Sequence, residues 1–156
     1  MKNTRVGTQL SEYNRLYKQN NAIYHDFYSR FGLSESTFWI LYTLRAEEPP
    51  VTQSDICNVF FQPRQTVNSS LKKLEREGLI TLSGEGGRRG KPISLTPRGI
   101  AFAEKTVDQV IKSEQQALLD LTPNEQKQFF DIFNRYNARL NTHLSQILAE
   151  SEGNHE

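Results

Sequence analysis

Most apolar residues of this chain recur at intervals of three and four, the spacing of one face of a helix. The first such stripe, Leu10, Tyr13, Leu16, Tyr17, Tyr24, Phe27, Tyr28 and Phe31, predicts a helix from about Thr8 to Arg30, stopped by Gly32. Ser34 can cap a second helix, Glu35 to about Arg45, whose Phe38, Ile40, Leu41 and Leu44 are apolar enough for an interior. Glu48-Pro49-Pro50 breaks the chain, and Val51 can form a short strand. Thr52 with Asp55 three residues later has the form of a capping box and opens a short helix to about Val59. Phe60-Phe61-Gln62 then turns the chain tightly into another helix.

In that next helix Pro63 suits the first turn, where its missing N–H is not needed. Val67, Leu71 and Leu74 mark one buried face, and Gly78 can end the helix in a left-handed conformation that folds Leu79 back onto Leu74. The opposite face carries Arg64, Gln65, Asn68, Ser69 and Lys72, a row of long cations and amides of the kind that bond base edges in a major groove. Gln62 is a poor cap, so the first N–H groups are left open to a phosphate. Two helices joined by so tight a turn, the second basic and rich in amides, form a helix-turn-helix. A solvated amphipathic helix is the plainer reading of the same pattern.

After Gly78 the period changes. Ile80 to Leu82 and Ile93 to Leu95 read as short strands around a glycine-rich tip that carries Arg88, Arg89 and Lys91. A basic hairpin directly after a recognition helix is a wing, suited to a narrow minor groove; a solvated loop is the alternative. Thr96-Pro97 starts a long helix with the stripe Ile100, Ala103, Val107, Val110, Ala117 and Leu121, close to a heptad seam. Thr122-Pro123-Asn124-Glu125 is a further start signal of capping-box type. The last helix presents Phe129, Phe133, Tyr136, Leu140, Leu144 and Ile147 on one face, with Phe130, Ile132 and Leu148 beside it. One small core cannot absorb so wide a stripe, so pairing of these terminal helices with a second subunit is expected.

Charge sharpens this picture. The chain of 156 residues has a net charge of +1, but residues 63–98 hold eight basic and three acidic residues, a local +5 that leaves −4 elsewhere. One basic segment on an acidic chain is the footprint of a nucleic-acid surface. Cys57 is the single cysteine, which excludes an intrachain disulfide and fits a reducing compartment. It reads as a small core thiol, with redox sensing as the alternative. No apolar run is long enough to cross a membrane and no signal core follows the N-terminus, so a cytoplasmic protein without membrane contact is expected. His25, His143 and His155 stand far apart, so no metal is expected, unless His25-Asp26 is half of a site shared between chains. No nucleophile triad, phosphate loop or carboxylate pair stands in a suitable context, so neither enzyme activity nor a cofactor is expected.

With helices before and after a winged helix-turn-helix, the chain resembles the MarR family of bacterial transcription regulators over nearly its whole length. The specific part runs from Pro63-Arg64-Gln65-Thr66-Val67-Asn68-Ser69 through Leu74-Glu75-Arg76-Glu77-Gly78-Leu79-Ile80 to the wing and Ser94-Leu95-Thr96-Pro97-Arg98-Gly99. The resemblance implies a mainly α fold with a small β-wing. Residues 1–33 are then an N-terminal dimerisation helix with Leu10 at the interface, 34–98 the winged helix-turn-helix domain and 99–156 C-terminal dimerisation helices. It further implies a homodimer on a pseudo-palindromic double-stranded DNA operator, usually as a repressor, controlled by a small molecule. Gln53, Ser54 and Thr66 join Arg64, Gln65, Asn68, Ser69, Lys72, Lys73 and the wing cations as expected DNA contacts. The family's effector crevice points to Tyr24, Tyr28, Trp39 and Phe102 and to a small aromatic or amphipathic ligand, although aromatics at helical spacing also serve as plain core. The wing departs from the family pattern: Gly86-Gly87 stands where an aspartate usually precedes the arginines, leaving open which of Arg88 and Arg89 enters the groove. A winged-helix module that binds protein instead of DNA is the rival function; it accounts for the fold but not for the basic segment.

Overall fold

The computed structural model describes residues 5–60, 62–82 and 90–152. The chain divides into two compact units, Met1–Ile111 and Lys112–Glu156. The first runs α1 (Arg5–Arg30), α2 (Glu35–Ala46), β1 (Val51–Thr52), α3 (Gln53–Phe60), α4 (Arg64–Arg76), β2 (Ile80–Leu82), β3 (Pro92–Leu95), α5 (Pro97–Lys105) and the start of α6 (Val107–Leu119). The second holds the rest of α6 and α7 (Pro123–Glu152). Mainly helical with one small antiparallel sheet, the fold is the winged-helix class expected from the sequence.

The core of the first unit forms around α2, which contributes the fully buried Phe38, Ile40 and Leu41. Val67, Leu71 and Leu74 of α4 meet them from one side, and Ala103 and Val107 add the α5 and α6 share. The sheet has the order β1-β3-β2 with Val51 opposite Ile93 and Ile80 opposite Leu95. Val51, Ile80 and Ile93 are buried while Thr81 and Ser94 face out, the alternation of a sheet covered on one side.

The caps are those the sequence spells. Ser34 Oγ accepts from the Thr37 amide at 3.3 Å. Asp55 Oδ2 accepts from the Thr52 amide at 2.9 Å while the Asp55 amide donates to Thr52 Oγ1 at 3.4 Å, a reciprocal box. Thr122 and Glu125 repeat it at 2.8 and 3.3 Å, and the hydroxyl and amide of Thr122 hold the Glu125 carboxyl below its usual range.

Three expectations are corrected. α1 begins three residues before Thr8, because Arg5 and Val6 continue the helical backbone although Val6 is exposed. Pro63 is the cap of α4 rather than its first residue: its ψ of 135° is extended, and the helix starts at Arg64 with no side-chain cap bond. The long helix after Thr96 breaks at Thr106, whose φ and ψ of −124° and −95° separate α5 from α6. There the buried Thr106 hydroxyl donates to the Phe102 carbonyl at 2.8 Å and Gln109 Nε2 donates to the Glu104 carbonyl at 2.7 Å. These side chains take backbone acceptors that an unbroken helix would use itself.

Two contacts fix α5 and α6 to the unit. Arg45 of α2 donates Nε and Nη2 to the two carboxylate oxygens of Asp108 at 2.8 and 2.5 Å, a two-pronged pair with the aspartate largely shielded. At the end of α4 the Leu79 amide bonds the Leu74 carbonyl at 3.0 Å and the Gly78 amide bonds that of Glu75 at 2.9 Å, with Gly78 at φ 69°. Thr96 Oγ1 then donates to the Gly78 carbonyl at 2.6 Å and the Thr96 amide to that of Leu79 at 3.0 Å. Gly99, one turn into α5, lies so close that an added Cβ would fall 1.9 Å from the Leu79 oxygen.

The two glycines should therefore respond differently to alanine. Gly78→Ala meets open space and strains only its left-handed backbone, at a cost of about 1 kcal/mol. Gly99→Ala must push backbone apart and should cost more, on the order of 3 kcal/mol. Urea denaturation of the two variants checks the order; equal losses would contradict the close approach.

Candidate nucleic-acid interface

The second helix of the pair, α4, has a dry side and a bare side. Val67 and Leu74 are fully buried and Leu71 nearly so. Arg64, Gln65, Thr66, Asn68, Ser69 and Lys72 are all exposed. Among the described residues no hydrogen bond or ion pair engages the side chains of Arg64, Gln65, Thr66, Asn68 or Lys72. Their donors and acceptors are therefore available to an outside partner.

The other expected contacts differ in kind. Ser69 donates its hydroxyl to the Gln65 carbonyl at 3.0 Å, so its oxygen offers chiefly acceptor capacity outward. Gln53, half-buried at the start of α3, donates Nε2 to the Arg64 carbonyl at 3.1 Å and ties the two helices together at the turn. Ser54 beside it is also half-buried. Lys73 is half-buried with its Nζ 4.0 Å from Glu77, at the margin of the bare face. Lys91 is exposed at the base of the hairpin. Arg88 and Arg89 lie outside the described residues.

The four residues assigned to an effector crevice are not all brought together. Tyr24, Tyr28 and Trp39 gather around Phe38, with ring centroids 6.4, 5.5 and 4.9 Å from it. Tyr24 and Trp39 are also 5.2 Å from each other. Burial, and then the nearby Glu35 charge, push the Tyr28 phenol up from its usual value. Phe102 instead lines a cleft of about 430 Å³ with Leu33, Leu79 and the cations Lys73, Arg98 and Lys105. Phe38 is the hub that sequence reading assigned only to the core; its position among the apolar residues of α2 gave no other signal.

The apolar stripe assigned to a dimer interface faces outward. Leu10, Phe129, Phe133, Tyr136, Leu140, Leu144 and Ile147 range from 36% exposed at Tyr136 to 60% at Ile147. Phe130, Ile132 and Leu148 are equally open. Cys57 is half-buried and packs against the core of the first unit. Among the described residues no group of three His, Cys, Asp or Glu side chains could hold a metal, and no helix is long and apolar enough to cross a membrane.

Comparison with known proteins agrees with this geometry. A sequence profile described as the MarR family matches residues 31–90, from just after α1 to just before β3. The HTH-type transcriptional regulator PecS of Dickeya dadantii is 30% identical over 128 residues, covering 80% of this chain and 68% of that protein. A MarR family regulator from Neisseria meningitidis superposes with a TM-score of 0.75 at 24% identity, over 88% of this chain and 97% of its own. MepR of Staphylococcus aureus, solved as a DNA complex, gives a TM-score of 0.61 at 21% identity over 88% and 96%. The two structures establish the fold; the profile and the PecS identity establish descent. The chain belongs to the MarR family, whose members are transcriptional regulators and not enzymes.

Proposed function

We propose that this protein regulates transcription by binding double-stranded DNA as a homodimer, reading a pseudo-palindromic operator with α4 of each subunit. The observation that carries the reading is the division of α4 into a buried apolar face and an exposed face on which Arg64, Gln65, Asn68 and Lys72 have no side-chain partner among the described residues. Gln65 and Asn68 have the paired donor and acceptor that match adenine, and Arg64 can bond guanine twice or hold a phosphate. Lys72, a turn further on, suits the backbone, as do Arg88, Arg89 and Lys91 by their charge. MepR, of the same fold and solved with DNA, supports DNA as the partner. Repression, relieved by a small aromatic or amphipathic effector near Tyr24, Tyr28 and Trp39, is the regulatory mode proposed.

Homodimerisation rests on the outward apolar stripe of α7, whose burial is worth about 25 cal/mol for each Å² removed from water. Introducing a charge at Leu140 or Leu144 should yield monomer and weaken operator binding together. Sedimentation at micromolar concentration tests this; a stable monomer of the unaltered protein would sink the dimer.

Base reading is tested by comparing the operator with a scrambled duplex. Gln65→Ala and Asn68→Ala should each cost roughly 1–3 kcal/mol on the operator and little on the scrambled sequence. Lys72→Ala should weaken both alike and lower the salt dependence. Equal losses on both duplexes from Gln65→Ala and Asn68→Ala would mean that this face positions the protein without reading sequence. Absence of binding to any duplex would favour the protein-binding alternative.

A further inference from the structure

We propose that the groove between the N-termini of α2 and α4 holds a phosphate of the DNA backbone, with Ser36 and Gln62 as its side-chain ligands. This makes α2, which supplies the hydrophobic centre of the unit, a DNA-contacting element as well. The proposal rests on the reading of α4 as the DNA-recognition helix.

The groove has a volume of about 770 Å³ and passes Gln65 and Ser69 of the bare face. Among the described residues along it every side chain but that of Pro63 is polar, and Glu35 alone carries charge. Two polar atoms there lack a partner. Ser36 is only 7% exposed, yet among the described residues its Oγ has no hydrogen-bond partner, and neither has Oε1 of the half-buried Gln62. Groups buried in this way cost folding free energy, which an outside ligand can return when it binds.

An acceptor would satisfy the Ser36 hydroxyl directly, whereas Gln62 as placed presents an acceptor, Oε1, and must turn its amide to meet a phosphate oxygen. Ser36 has a hydroxyl proton to give, and a turn of the Gln62 amide exchanges its oxygen for two N–H donors. Backbone donors converge from both sides. α2 and α4 are 12 and 13 residues long, and each directs the positive end of its dipole at the groove. At α4 the cap is Pro63, which has no side-chain acceptor to offer the amides of Arg64, Gln65 and Thr66. Helix starts with unspent amides suit a phosphate oxygen. A duplex strand on this path runs directly beside Gln65 and Ser69, so the same approach that seats the phosphate brings base edges to the recognition face.

Among the described residues no cation lines the groove, which gives the site a signature of its own. The salt dependence of DNA binding counts lysines and arginines that displace counterions. A phosphate held by a hydroxyl, an amide and helix dipoles adds affinity without adding to that dependence. Glu35, the one acid present, opposes the phosphate.

Ser36→Ala and Gln62→Ala are to be measured on operator and scrambled duplexes, across a salt series, and on operators with one phosphate at a time replaced by neutral methylphosphonate. Ser36→Ala should keep or raise Tm, because an unpartnered buried hydroxyl is removed. Both variants should lose roughly threefold to tenfold in affinity on either duplex with the salt slope of the parent. Glu35→Gln should bind both more tightly. One methylphosphonate position that weakens the parent should weaken Ser36→Ala no further. Unchanged affinity in Ser36→Ala, or losses that simply add at every phosphate, would overturn the assignment. So would saturable shifts of the Ser36 and Gln62 amides with inorganic phosphate alone when DNA affinity is insensitive to both variants, since the groove would then serve a free anion. Failure of the parent to bind any duplex ends the DNA-binding reading and the groove with it; parent binding with an indifferent Ser36→Ala ends the groove alone.

Discussion

Burial of α2 is the constraint on which the first unit depends. Phe38, Ile40 and Leu41 are inaccessible to water, and α1, α3, α4, α5 and β3 all pack against this one helix. A helix so enclosed offers its polar side chains little solvent, and two of those it keeps find partners inside. Thr43 does so by donating to the Trp39 carbonyl at 2.8 Å, and Arg45 by its two bonds to Asp108. α4 can then be amphipathic, with three apolar residues buried in the core and the face that carries Arg64, Gln65, Asn68 and Lys72 left to water.

Much of this was legible in the sequence because the signals are local. Thr52 with Asp55, Thr122 with Glu125 and Ser34 each satisfy amides within three residues, so residue type and spacing suffice to find them. Gly78 is of the same kind, since only the chain's own turn decides its left-handed conformation. The break at Thr106 was not legible. Threonine is tolerated inside helices, and what interrupts this one is a buried hydroxyl and the reach of Gln109 to the Glu104 carbonyl, neither visible in periodicity. The start of α4 was misread by one residue because proline suits both the cap and the first turn.

The candidate interface divides along the same line. The bare face of α4 follows from helical spacing, and with it the exposure of Arg64, Gln65, Asn68 and Lys72. Which of its groups are already spent does not follow. Ser69 bonding back to its own helix, Gln53 holding the Arg64 carbonyl and Lys73 lying toward Glu77 depend on rotamers and on neighbours eleven or more residues away in one case. Ser36 was the least accessible to sequence reading, because it sits between a cap and a buried threonine and has the composition of an ordinary helix start.

The junction of α4 with α5 has a mechanical consequence. The Gly78 and Leu79 carbonyls are held by Thr96, and Gly99 leaves no clearance for even a methyl group against Leu79. A joint without slack transmits displacement instead of absorbing it. Any tilt of α5 is handed to the C-terminal turn of α4, and the far end of α4, where Gln65 and Asn68 stand, sweeps the larger arc.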